Sequence, residues 1–223
     1  MKFCTVMHVD LSYPLRSIAP SLDSAVLGVL AGTESALSAM QIARLAAKGT
    51  RGGQRHVLDR LVEHGLVMAT PANRGFLYRL NREHVLAPAI LSAANARSEV
   101  LQRLIAAVAA LDPRPVHVSV YGSFARGEAG PSSDIDMLII LESGSAADDQ
   151  WAAQVQSLSE RVLTWTGNRL EPFVVVRADL QGYVQRKEPI IGSWVNDSHT
   201  LLGGPIHALI AQAEPDERVS VDA

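Results

Sequence analysis

VSVYGSFARGEAGPSSDIDMLIILE, residues 118–142, reads as strand, tight turn, short helix, loop and strand. Val116, Val118 and Val120 alternate with His117, Ser119 and Tyr121, and β-branched residues at period two predict a strand. Gly122 ends it, and Ser123, a preferred N-cap type, stands where a helix would start. Gly127, Gly130 and Pro131 break that helix. Ser132 and Ser133 lead into Asp134-Ile135-Asp136, followed at once by Met137-Leu138-Ile139-Ile140-Leu141, a run apolar enough to be a strand buried on both faces.

Asp134 and Asp136 are two apart at the entrance of that strand, so they point to the same side. Two carboxylates so close repel each other unless a positive charge sits between them. A hard cation such as Mg²⁺, held by one or two carboxylates and phosphate oxygens, meets that need. Gly122 lets backbone approach a ligand closely. The Ser123 hydroxyl and the free N–H groups of a helix start suit a phosphate. Metal and phosphate sites side by side imply a nucleoside triphosphate handled by metal-assisted transfer.

Gly122-Ser123, Ala125-Arg126-Gly127 and Ser133-Asp134-Ile135-Asp136 stand in that order, nine defined positions over fifteen residues. This pattern resembles the signature of the polymerase-β-like nucleotidyltransferases, and looks most like the minimal nucleotidyltransferases. The resemblance covers about 113–176. It implies that Asp134 and Asp136 bind Mg²⁺ and that Gly122, Ser123, Arg126 and Ser133 hold the nucleotide. Arg126 is left with two roles: stabilising the leaving pyrophosphate, or bracing the loop through Glu128 or a backbone carbonyl. The family's third carboxylate would come from the next strand, 169–177 (RLEPFVVVR). The acid there is Glu171, 35 residues beyond Asp136, where the family more often has Asp. It would act as general base or complete the metal shell. Pro172 follows it and favours a strand start or an edge.

The chain has 223 residues, enough for one large domain or two small ones. Its 48% apolar and 19% charged residues are those of a globular protein rather than a disordered one. A single cysteine, Cys4, excludes an internal disulfide and fits a reducing cytoplasm. No apolar run approaches the roughly 18–20 residues that span a bilayer, so no membrane partner is expected. MKFCTVMHVDLSYPL, with His8 and Asp10 inside its apolar part, makes a poor signal peptide.

Net charge is −3, but it is unevenly spread. Between Arg44 and Arg82 eight Lys/Arg face two acids, a local +6, and twelve bases against twenty-one acids elsewhere give −9. A basic segment in an acidic chain suggests a polyanion-binding face. The segment's pattern is three short helices and a hairpin. Ser21, Ser38 and Thr50 stand as N-caps, and Gly32, Gly49 and Gly65 as stops. Leu66–Thr70 and Phe76–Leu80 read as strands around Pro71-Ala72-Asn73-Arg74-Gly75. Over about 22–82 this order resembles the winged helix-turn-helix regulators. In such folds the third helix enters the major groove and the wing touches the backbone. Applied here, Arg51, Gln54 and Arg55, with Arg60 as a further candidate, would face DNA, and Arg74 would sit at the wing tip.

The expected fold class is therefore α/β (α+β), with 1–20 an N-terminal extension. A winged helix-turn-helix spans 21–82 and a linker helix 83–112, interrupted near Pro88. A nucleotidyltransferase domain with a small mixed sheet and C-terminal helices spans 113–223. The function implied by resemblance is Mg²⁺-dependent transfer of a nucleoside monophosphate, most simply AMP from ATP, to a protein, RNA or small-molecule acceptor. Some stand-alone members of the family belong to toxin–antitoxin pairs and modify a partner protein. The rival reading is a DNA-binding transcriptional regulator whose nucleotidyltransferase domain only senses nucleotide. A homodimer is left open.

Overall fold

The computed structural model describes residues 9–47, 49–73, 75–143 and 149–213. The first eight residues of the expected N-terminal extension therefore lie outside the described residues, as do 144–148 and the polar tail from Glu214. The chain divides into two compact units. One spans Tyr13–Ser98; the other is built from the chain from Glu99 onward with the segment that ends at Ser12.

The first unit begins with α1 (Pro14–Ile18). Proline is no obstacle at the first helical position, because the N–H it lacks has no partner there anyway. Then come α2 (Leu22–Ala31), β1 (Leu37–Ser38), α3 (Ala39–Ala46), α4 (Arg51–Glu63), β2 (Val67–Ala72), β3 (Gly75–Leu80) and α5 (Ala87–Ala94). Ser21 accepts from the Ser24 N–H, Thr50 from the Gly53 N–H, and Ser38 forms a full capping box with Gln41. Such caps contribute about 1 kcal/mol each. The strands pair antiparallel in the order β1-β3-β2. Val26, Leu30, Ile42, Leu58, Leu61, Tyr78 and Leu80 close the core under them.

The linker helix expected over 83–112, with an interruption near Pro88, is two helices broken elsewhere. Pro88 lies in the first turn of α5 and helps to start it, and the break comes at Asn95. Ile90 and Leu91 of α5 pack in the first unit's core, whereas Val100, Leu104 and Val108 of α6 (Ala96–Val108) belong to the core of the second.

That second unit continues with β4 (His117–Tyr121), α7 (Gly122–Arg126), β5 (Ile135–Leu141), α8 (Asp149–Thr166), β6 (Leu170–Val176), α9 (Arg177–Gln185), α10 (Pro189–Asp197), β7 (His199–Leu202) and α11 (Ile206–Ala213). Its sheet runs β6-β5-β4-β7, with β5 and β6 parallel and the other pairs antiparallel. Every β5 residue but Asp136 is buried, as the apolar run predicts. Ile135, Met137 and Ile139 pack with α6 and α8 on one face; Leu138 and Ile140 pack with Leu180, Trp194, Ile206 and Ile210 on the other. Val9 and Ser12 donate backbone bonds to the carbonyls of Thr166 and Ala129, and Leu11 enters the same core. β7 was not foreseen: four residues are too few for a periodicity to show.

Because Ile139 is fully buried in the central strand, Ile139→Ala leaves a cavity and should destabilise the fold by about 2–5 kcal/mol. Urea unfolding of the purified variant checks this; a loss below about 1 kcal/mol would contradict the packing described.

Candidate active site

Three strands bring one row of side chains together. Asp136 on β5 is in register with Tyr121 on antiparallel β4 and with Glu171 on parallel β6. In-register neighbours project on the same face of a sheet, and adjacent strands are about 4.8 Å apart. Tyr121, Asp136 and Glu171 thus form a row across the sheet, and Asp134 joins their face from two residues upstream. Asp134 and Glu171 are exposed at the strand mouths, whereas Asp136 is half-buried.

Gly122 forms the wall beside Asp136. Its φ is +69°, and a Cβ there would stand 2.6 Å from Asp136 Oδ2. Glycine is needed twice over, for the left-handed backbone and for the close approach. Ser123 is not the N-cap of α7. Tyr121 holds that position, no side chain caps the helix, and Ser123 is its second residue. The extra residue of turn comes from the left-handed Gly122, which starts the helix one step early. Gly127, at φ +75°, ends it.

Burial raises the Asp136 carboxyl above its usual range, and the charges of Asp134 and Glu171 push it the same way; Arg126 partly opposes them. Tyr121 is likewise raised, by burial first and then by Asp136. Arg126 pairs with two acids. Its Nε donates to Glu128 (2.8 Å) and its Nη1 to Asp197 at the end of α10 (2.7 Å). Ser133 closes the preceding turn: its Oγ accepts from the Gly130 N–H (3.1 Å), and its N–H donates to the Gly130 carbonyl.

Hard carboxylate oxygens are the right donors for Mg²⁺, which takes few protein ligands and keeps places for water and phosphate. Among the described residues no group of three or more His, Cys, Asp or Glu side chains is arranged to hold a metal ion, and Mg²⁺ needs only one or two carboxylates beside its phosphate and water ligands.

Several contributors were missed in the sequence. Asn168 is fully buried and donates through Nδ2 to the Ser133 carbonyl (2.8 Å). His117, inside β4, is buried and held below its ordinary pKa by desolvation, partly countered by its bond to the Gly204 carbonyl. As neutral imidazole its Nδ1–H donates to that carbonyl (2.8 Å), and the Ser119 hydroxyl donates to Nε2 (3.0 Å). Asp197 carried no local signal, since its partner lies 71 residues away.

Residues 101–190 match the family model described as nucleotidyltransferase domain. That span takes in α7, Asp134, Asp136 and Glu171. No curated protein sequence matches the chain. Among solved structures, one similar chain is a toxin–antitoxin crystallised with AMP-PNP, at TM-score 0.35 and 12% identity, covering 51% of this chain and 82% of that one. Another is a mutant of the toxin–antitoxin MntA-HpeT, at TM-score 0.36 and 10% identity, with the same coverage.

On the first unit, Gln54 corrects an expectation. It is buried, 3% exposed, and so faces the core rather than solvent. The reason is helical spacing: it precedes Leu58 by four residues and shares its inner stripe. Arg55 is exposed. Arg60, exposed as well, is paired with Asp23 of α2. Arg51 opens α4, and Arg74 lies outside the described residues.

Among the described residues, the atoms that crowd the Gly122 site are those of Asp136. Gly122→Ala alone should therefore cost more than the about 1–3 kcal/mol of left-handed strain, and Asp136→Ala should remove the excess. A double-mutant cycle in urea checks this; purely additive effects would contradict the close approach.

Proposed function

We propose that the unit from Glu99 onward is a nucleotidyltransferase that moves a nucleoside monophosphate, most simply AMP from ATP, to an acceptor hydroxyl. The observation that carries this reading is the register of Asp136 with Glu171, with Asp134 on the same face and Gly122 against Asp136. The matched family span supports it. Asp134, Asp136 and Glu171 would hold Mg²⁺, which when bound offsets phosphate charge and aligns the triphosphate for in-line attack. Gly122 and Ser123 present backbone N–H groups and a hydroxyl to the phosphates. Ser133 shapes the turn that presents Asp134, and Arg126 holds the loop through Glu128 and Asp197. The acceptor oxygen forms the new bond to the α-phosphorus as the α–β bridge breaks. Pyrophosphate leaves, and Glu171, exposed at the mouth, takes the hydroxyl proton.

We infer that the unit of Tyr13–Ser98 is a winged helix, a reading supported by the order α2, β1, α3, α4, β2 and β3 within it and by the antiparallel sheet β1-β3-β2. We infer that it binds DNA through α4, with Arg55 contacting a phosphate and Arg51 and Arg74 adding charge. Among the described residues no helix is long and apolar enough to cross a membrane.

The deciding experiment incubates the protein with Mg²⁺ and each α-labelled nucleoside triphosphate, alone and with cell extract. Label should move to an acceptor and fall by on the order of a thousandfold or more in Asp134→Ala/Asp136→Ala, the equivalent of several kcal/mol of lost transition-state stabilisation. Mg²⁺-dependent nucleotide binding without any transfer would replace the enzyme by a nucleotide-sensing regulator. Arg55→Ala should weaken DNA binding and reduce the slope of log K against log salt by about one unit, measured by fluorescence anisotropy. An unchanged slope would remove Arg55 from the interface.

A further inference from the structure

We infer that Asn168 is the positioning residue that sets Asp134 against Asp136 and Glu171, an inference that rests on the metal-nucleotide reading of this site. Asn168 lies between α8 and β6, fully buried. Its Nδ2 donates to the Ser133 carbonyl (2.8 Å), the peptide unit that leads directly into Asp134. One residue on, the Ile135 N–H donates to the Arg169 carbonyl (2.8 Å). These two bonds tie the entrance of β5 to the entrance of β6, one on each side of Asp134. Asn168 is itself anchored: its N–H donates to Thr166 Oγ1 (3.0 Å), and that hydroxyl donates to the Val162 carbonyl (2.8 Å).

The side chain is an expensive choice for a spacer. Among the described residues its Oδ1 is buried without a partner, and an unsatisfied buried acceptor costs about 1–3 kcal/mol. An apolar residue of the same size would avoid that cost while filling the space. What it could not do is fix the Ser133–Asp134 peptide. Asp134 is exposed and like-charged with its neighbours, so nothing apolar holds it in the row; its backbone must be held instead. Residues that orient metal ligands typically change metal affinity 10–100-fold when removed.

The test compares wild-type protein, Asn168→Leu and Val162→Ala, a buried substitution in the same core that leaves the Ser133 contact intact. Mn²⁺ binding in the presence of AMP-PNP is read by electron paramagnetic resonance, and Tm by circular dichroism. Asn168→Leu should keep a folded spectrum and lose 10–100-fold in Mn²⁺ affinity. Val162→Ala should lower Tm while its affinity stays within twofold of wild type. Equal affinity in Asn168→Leu and wild type overturns the role of Asn168 alone, and so does a loss matched by Val162→Ala. Absence of Mn²⁺ binding by the wild-type protein overturns the site reading beneath it. A second measurement needs no variant: the Asn168 side-chain amide protons of ¹⁵N-labelled protein should shift when Mg²⁺ and AMP-PNP are added. Resonances that stay still overturn the assignment.

Discussion

The backbone of Gly122 lies so close to the Asp136 carboxylate that no side chain fits between them. The rest of the site depends on that contact. It requires a left-handed residue directly after β4 and turns the chain at once into α7.

The sheet supplies the opposing constraint. β5 is buried on both faces, so the position of Asp136 is fixed by the packing of Met137, Ile139 and their neighbours rather than by its own preferences. Asp134 and Glu171 then stand beside a half-buried carboxylate and raise its pKa along with burial. A carboxyl whose folded pKa is raised costs stability as pH rises from its unfolded value through the folded one. The fold tolerates that cost at one position of an otherwise apolar strand. The proposed Mg²⁺ site would relieve that conflict between packing and charge.

Much of this was legible in the sequence because it is local. Ser21, Ser38 and Thr50 cap the helices that follow them, and the spacing of Asp134 and Asp136 puts both on one side. The register of Glu171 with Asp136 is not local: a parallel pairing across α8 cannot be read from spacing, although a strand containing a single acid made it the candidate. Gln54 was misplaced because its polarity was weighed over its position four residues before Leu58. Pro88 was taken as a breaker where it starts a helix. Asn168 and Asp197 act on partners 35 and 71 residues away, and nothing near them in the sequence announces it.

The central claim, that burial and then the charges of Asp134 and Glu171 hold the Asp136 carboxyl above its ordinary range at the proposed Mg²⁺ site, is tested most directly by titrating it. Carboxyl ¹³C shifts of aspartate-labelled protein, assigned through Asp136→Asn, would follow its protonation with and without Mg²⁺ and AMP-PNP. The account predicts a midpoint above the usual carboxylate range in the free protein, falling sharply when metal and nucleotide are added. A midpoint in the ordinary range that does not move with metal would contradict it.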